Sequence, residues 1–352
     1  MKQTYNVLGV MSGTSLDGVD LCFSNFSYKN GSWNFLIKIA RTVKYEKNWI
    51  KKLTNAHKLS DANLNELDLD YTSYLSEIIL HFISENQIKN IDFISSHGHT
   101  VFHEPSKRIT YQIGNRVELN KYTKIPVVCD FRIQDVRLGG QGAPLVPVGD
   151  LLLFKNYTHC INLGGFSNIS IKSKNNIIAY DICPVNIVLN KYSRLIGLNF
   201  DNEGKISESG NINNKLLKSL NTISFYNLTH PKTLGLEWVE SKIFPLIDSY
   251  NISIKDTLRT FVEHIAIQIS NNLKYHNPNI LVTGGGVKNK FLMKRIKILS
   301  NKNLEIISEN IIDYKEALIF GFLGVLKIRN ENNCLKSVTG AIRDHSSGII
   351  FQ

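Results

Sequence analysis

No stretch of about 18 consecutive apolar residues occurs in the 352-residue chain, so no membrane-spanning helix is expected. Cysteine is scarce and scattered. Cys22, Cys129, Cys160, Cys183 and Cys334 include no CxxC pair, which argues against a zinc ribbon or dithiol redox site and for reduced thiols in a cytoplasmic protein. No block of about five or six like charges is present, so the net charge of +11 is spread over a Lys- and Asn-rich surface. That pattern speaks against nucleic-acid or membrane partners and suits an anionic substrate. The spacing GxxxxGK[ST] is missing, and no GxGxxG follows the first apolar segment, so two familiar phosphate-binding loops are excluded. The N-terminal segment soon meets Gly, Ser and Asp and reads as a first strand, not a signal peptide.

With 43% hydrophobic and 20% charged residues, the chain is globular and long enough for two domains. Strands are expected at Tyr5 to Val10, Gly18 to Phe26 and Trp33 to Val43, joined by turns as an antiparallel meander. A helix is expected over Asp61 to Ser84, from leucines at 64, 67, 75 and 80. Ile91 to Ser95 reads as a buried strand ending at His97-Gly98-His99-Thr100, and Pro126 to Asp130 as another. The opening order then recurs: strands at Cys160 to Leu163, Ile169 to Ser173 and Ile177 to Asp181, the first two joined by a small-residue turn. Helices are expected at Val185 to Ile196, Thr257 to Leu273 and Tyr314 to Ile328, with Leu236 to Ser249 kinked by Pro245. Ile280 to Thr283 is a strand running into three glycines.

Three glycine turns carry the chemical signal. The first, Ser12, Gly13, Thr14, Ser15, Leu16, Asp17, Gly18 and Val19, offers backbone N–H groups, hydroxyls and a carboxylate. Such a turn can hold phosphate, with Asp17 toward Mg²⁺, or be an ordinary hairpin turn. The second is Gly164-Gly165 at the matching position of the second half, and the third is Gly284-Gly285-Gly286. Each is weak alone. Together, at strand ends in two successive halves, they point to a nucleotide. His97 and His99 could begin a zinc site, but no spacing completes it, so hydrogen bonding to a polar substrate or to local backbone is the better reading. Asp130-Phe131-Arg132, with Asp135 and Gly139 to Pro144, suits a substrate loop or a connection between domains. Asp181 can be a general base or cap the following helix.

These motifs, in this order, resemble the anhydro-N-acetylmuramic acid kinases. The matching strings are GVMSGTSLDGVD at 9–20, SSHGHTVFHEP at 95–105, QIGN at 112–115, VVCDFRIQDVRLGGQGAPLVP at 127–147, INLGGFSNIS at 161–170, TGGGVKN at 283–289, KEALIFGFL at 315–323 and VTGA at 338–341. The resemblance implies an α/β, two-lobed actin/hexokinase-like (ribonuclease H-like) ATPase fold with a central cleft. It places residues 1–130 and about 330–352 in an N-terminal lobe and 131–329 in a C-terminal lobe. It implies ATP and Mg²⁺ as cofactors, a small sugar substrate and a homodimer. By motif, Ser12 to Val19, Gly164, Gly165, Gly284, Gly285, Gly286 and Asn289 would bind ATP. His97, Thr100, Asp130, Arg132, Gln141, Asn186 and Glu316 would bind the sugar, and Asp181 would be the base. Two strings depart from the family pattern. Cys183-Pro184-Val185-Asn186 stands where GPGN is usual, adding bulk beside the base, and Pro231 to Glu237 keeps the Lys and Glu of its motif but lacks the Arg.

Overall fold

The computed structural model describes residues 2–173, 176–273 and 279–352. Its strands are β1 (Thr4–Ser12), β2 (Gly18–Lys29), β3 (Ser32–Lys44), β4 (Phe93–Glu104), β5 (Ile109–Ile113), β6 (Val127–Cys129), β7 (His159–Leu163), β8 (Phe166–Ser173), β9 (Asn176–Pro184), β10 (Ile280–Thr283), β11 (Leu304–Glu305) and β12 (Ile349–Phe351). The chain divides into two compact units, Met1–Phe154 with Tyr314–Gln352, and Lys155–Asp313.

In the first unit the sheet order is β12-β6-β4-β1-β2-β3, with β5 paired to β4. β1, β2 and β3 form an antiparallel meander. β1 then pairs parallel with β4, and β4 with β6. The second unit repeats this plan in the order β11-β10-β7-β8-β9. Its meander is β7, β8 and β9, and β10 lies parallel between β7 and β11. A meander followed by two parallel strands, laid out twice, is the ribonuclease H-like plan of the actin/hexokinase-like ATPases. The recurrence of element order in the sequence is therefore a recurrence of sheet topology.

The helix Asp61–Glu85 begins at Ser60, whose side chain accepts from Asn63 N–H. It buries Leu64, Leu67, Tyr71, Leu75, Ile79 and Phe82 on one stripe against Leu8, Val10, Leu21 and Ile94 of the sheet. Leu80, expected on that stripe, is 41% exposed, because a residue five on from Leu75 has rotated past the core face. In the second unit the helix Ile254–Asn271 buries Leu258, Phe261, Val262, Ile265 and Ile269 among the residues of its core. Near Pro245 the helical path is interrupted by a wider turn over Val239–Ile243 and restarts at Phe244, so proline occupies a first turn, where its missing N–H is harmless.

Two features differ from expectation. β4 does not stop before His97 but continues to Glu104, absorbing the histidines through irregularities in its pairing with β1 and β5. Residues 131–154 and the helix Glu309–Ile328 from Tyr314 onward belong with the first unit, so the unit boundaries fall at 154/155 and 313/314. Long-range hydrogen bonds show why. Ser95 Oγ donates to Phe320 O at 2.6 Å, and Ser347 Oγ donates to Phe131 O at 2.6 Å. The helix also lies so close to β1 that a Cβ on Gly9 would sit 2.1 Å from Ala317 O. Gly9→Ala must push the helix off the sheet, and a loss of about 1–3 kcal/mol is expected in urea unfolding. An unchanged midpoint would show that the contact is not close.

Candidate functional site

In the first unit, the turn between β1 and β2 leaves Thr14, Ser15 and Asp17 exposed, while Ser12, Gly18 and Val19 are buried. Leu16 takes a left-handed conformation (φ 59°) and its N–H donates to Gly13 O, which closes the turn. Gly18 leaves no room for a side chain, since a Cβ would lie 2.3 Å from Val43 O. Ser12 does not face solvent. Its Oγ is 2.8 Å from His99 Nδ1 and 2.6 Å from Tyr45 OH, which is 2.5 Å from Tyr71 OH. This buried chain fixes the start of the turn from beneath. Burial holds His99 down to a pKa of about 4, so its ring is neutral.

His97 and Arg132 form the second group of this unit. Arg132 Nε donates to His97 Nε2 at 2.9 Å, Arg132 Nη1 donates to Gly142 O at 2.6 Å, and His97 Nδ1 donates to Gly98 O at 2.8 Å. The ring nitrogen that a metal would need is therefore taken by a guanidinium. Burial and the Arg132 charge hold His97 well below its ordinary pKa. Asp135 shapes the neighbouring loop. One of its oxygens accepts from Gly142 N–H and the other from Thr339 Oγ1, both at 2.7 Å. Gly140 packs so near that a Cβ would meet that carboxylate at 2.1 Å. Gln141 is exposed and its N–H donates to Thr339 O. Asp130, left-handed at φ 56°, has its pKa raised by burial, with Arg137 and Ile133 N–H opposing. Glu316 keeps an exposed side chain, yet burial of its surroundings raises its pKa while Arg132 and Lys315 pull the other way. Thr100 is half-buried in β4, opposite Gln112. Arg132, His97 and Glu316 are thus electrostatically linked, whereas Thr100 and Asp130 make no direct bond to them.

In the second unit, parallel pairing sets Thr283 beside Asn162, so the chain leaves β7 and β10 at the same edge. Gly284 is left-handed (φ 86°), and its Cβ would lie 2.5 Å from Asn162 Oδ1. A Cβ on Gly286 would lie 2.8 Å from Leu163 Cβ. Only glycines allow that approach. The carbonyls of Gly164 and Gly165 accept the N–H groups of Asn186, Val185 and Ile187, tying the turn to the start of the helix Asn186–Arg194. Asn186 Nδ2 lies 4.0 Å from the Cβ position of Gly285, so this residue stands beside the glycine turns.

Asp181 lies in β9, four residues before the helix N-cap Val185, so it does not cap that helix. Its N–H donates to Lys232 O at 3.0 Å, and its Oδ2 accepts from Leu234 N–H at 2.8 Å. Burial raises its pKa to about 6, partly offset by the Leu234 bond. The second departure noted in the sequence, at 231–237, therefore meets this residue through its backbone. Val185, however, is fully buried in the apolar core with Cys183 and Val188, so its bulk points into the core and not beside the base. Asn289 has a structural role as well: its Oδ1 accepts from Leu292 N–H at 2.9 Å and caps the helix Lys290–Ser300.

The sequence profile of the anhydro-N-acetylmuramic acid kinases matches residues 5–352. The chain belongs to that family. It is 35% identical to the anhydro-N-acetylmuramic acid kinase of Mannheimia succiniciproducens, covering 100% of this chain and 99% of that one. With the Haemophilus influenzae enzyme of the same name it is 34% identical, covering 100% and 98%. A solved structure, component A of the (R)-2-hydroxyglutaryl-CoA dehydratase of Acidaminococcus fermentans, overlaps with a TM-score of 0.46 at 12% identity, covering 90% of this chain and 95% of that one. Membership of the anhydro-N-acetylmuramic acid kinase family makes the chain an enzyme, a sugar kinase that uses ATP. No helix among the described residues is long and apolar enough to cross a membrane.

Sequence reasoning missed Tyr45 and Tyr71, whose hydroxyls are 2.5 Å apart next to Ser12, and the backbone of Lys232 and Leu234, whose partner Asp181 lies about fifty residues away in the chain. If Asn289 acts as a cap, Asn289→Ser keeps the stability and ATP KM of the parent, while Asn289→Ala loses about 1 kcal/mol. A raised KM for ATP in the Ser variant, at unchanged stability, would restore a direct nucleotide contact.

Proposed function

We propose that this chain phosphorylates 1,6-anhydro-N-acetylmuramic acid at O6 while water opens the anhydro bridge at C1, yielding N-acetylmuramic acid 6-phosphate and ADP. The setting would be recycling of bacterial cell wall in the cytoplasm, by a homodimer. The observation that carries the chemistry is the Asp181 carboxylate. One oxygen is held by Leu234 N–H, and among the described residues the other has no partner. A pKa of about 6 keeps it ionised at pH 7 yet more basic than a solvated carboxylate, as a general base requires.

In this reading Asp181 takes a proton from water as the water oxygen bonds to C1. The C1–O6 bond breaks, and its electron pair goes to O6, which bonds to the γ-phosphorus as ADP leaves. The departing oxygen becomes the phosphoryl acceptor, so one carboxylate suffices where ordinary glycoside hydrolysis uses two. The turn Ser12 to Val19, with Thr14 and Ser15 exposed, and the glycines 164–165 and 284–286 would lie along the nucleotide. The crowding of Gly18 against Val43, and of Gly284 and Gly286 against Leu163, fits close approach of backbone and not of side chains. Asp17, exposed and unpaired among the described residues, would hold Mg²⁺, which supplies charge neutralisation at the phosphates. Arg132, His97 and Glu316 would orient the sugar, with Thr100, Asp130 and Gln141 around them.

Asp181→Asn tests the role. It should fold, bind ATP and sugar, and lose turnover by about 10²-fold or more. Wild-type turnover should fall as pH drops through about 6, because the base must be ionised. The stability effect has the opposite sign. A carboxyl whose pKa is raised on folding opposes folding above that pKa and ceases to do so as pH falls toward its unfolded value. The Asn variant should therefore be more stable than wild type at pH 7, with the gap closing between about pH 6 and pH 4. Reaction in ¹⁸O-water should label the C1 hydroxyl. Near-normal turnover in the variant, or label in the phosphate alone, removes Asp181 from this role.

A further inference from the structure

The second unit holds a cavity of about 350 Å³ lined by none of the residues proposed for the reaction. Tyr180 lines it, and Tyr180 and Asp181 are successive residues of β9 whose side chains point to opposite faces. The cavity therefore lies across the strand from the Asp181 carboxylate. Its lining is polar and aromatic: Tyr180, Tyr226, His230, Lys232, Gln268 and Asn271 take part. Part of this wall is held in place. Tyr226 OH is 2.9 Å from His264 Nε2, Gln268 Nε2 donates to Asn221 Oδ1 at 2.9 Å, and Tyr180 OH donates to Asn272 Oδ1 at 3.0 Å. The Tyr180 and His230 rings stack with centroids 5.7 Å apart.

Other groups are left open. Lys232 Nζ has no carboxylate partner among the described residues; it lies over the rings of Tyr180 and Phe225 at 5.8 and 5.0 Å. An ammonium over aromatic faces, partly stripped of water, gains from an anion. The Asn271 amide, likewise unpartnered among the described residues, offers both donor and acceptor to hydroxyls. The volume is at the small end of ligand cavities, enough for one substituted ring and too little for a dinucleotide.

We propose that this cavity is a second small-molecule site, binding a monosaccharide that carries one phosphate, with the phosphate at Lys232 and the sugar hydroxyls at the amides. The inference rests on the sugar-kinase reading only for its choice of probe. The position of the site gives it a consequence. Lys232 O and Leu234 N–H are the backbone partners of Asp181, so an occupant that draws on Lys232 acts on the segment holding that carboxylate. The site is suited to regulating turnover.

Calorimetric titration without turnover tests it, using N-acetylglucosamine 6-phosphate, N-acetylglucosamine and inorganic phosphate as separate probes. The sugar phosphate should bind, and the other two should bind at least tenfold more weakly. Lys232→Met should weaken the sugar phosphate at least tenfold. Asn271→Trp, at an exposed position, should fill the cavity and abolish binding while leaving kcat and KM unchanged without the probe. Excess 1,6-anhydro-N-acetylmuramic acid should not displace the probe. Absence of binding, binding undiminished in both variants, displacement by the anhydro sugar, or equal binding of inorganic phosphate or neutral sugar would each overturn the proposal. Because binding is read without catalysis, a protein inactive on the anhydro sugar decides the proposed reaction and leaves this test intact.

Discussion

The candidate chemistry of the second unit depends on the parallel pairing of β7 with β10. Those hydrogen bonds bring two turns more than a hundred residues apart in the chain to one sheet edge. They bring them so close that a single methyl at 284 or 286 would collide with Asn162 or Leu163. Glycine here is demanded by backbone proximity, and the absence of side chains lets another group come close to the backbone. In the first unit, β1 pairs with β4 in the same sense. The phosphate-like turn after β1 and the histidines of β4 become neighbours, linked through Ser12 and His99.

Desolvation then sets the charge states. Water removed from around Asp181 raises its pKa, while one backbone N–H keeps the carboxylate within reach of ionisation at neutral pH. Around Arg132 the same loss of water acts on a cation, and neutral His97, the Gly142 carbonyl and nearby acidic groups meet it. Asp135 spends both oxygens on the loop and on Thr339. It lies within 4.8 Å of donor atoms on Cys334 and His345, but those bonds leave its carboxylate already satisfied by the protein. Buried polar groups of this kind stabilise little on balance. What they supply is a loop with one shape.

The meanders, the long helices and the glycine turns were legible in the residues because each has a local cause: alternation, helical spacing or the absence of a side chain. What was not legible lay across the chain. Asp181 reads locally as either a base or a cap, and nothing near it in the chain points to its partners Lys232 and Leu234. Val185 looks like an intrusion beside the base and is a core residue. Asn289 sits in a family string and caps a helix. Tyr45 and Tyr71 are ordinary aromatics by spacing, and only the fold shows their hydroxyls in line with Ser12. Leu80 shows that a count of leucines locates a helix better than it locates the buried face.

The pairing of β12 with β6 carries a consequence for synthesis. The second unit is an unbroken stretch of chain, Lys155–Asp313, and emerges from the ribosome whole. The first unit lacks the helix that packs on Gly9 until Glu309–Ile328 is made, and the strand that covers β6 until Ile349–Phe351 is made. At about 5–20 residues per second its unfinished sheet waits on the order of 10 s or more. The later half of the gene is thus free to fold first, and the earlier half spends that interval with an uncovered edge, the condition in which a nascent protein most needs a chaperone.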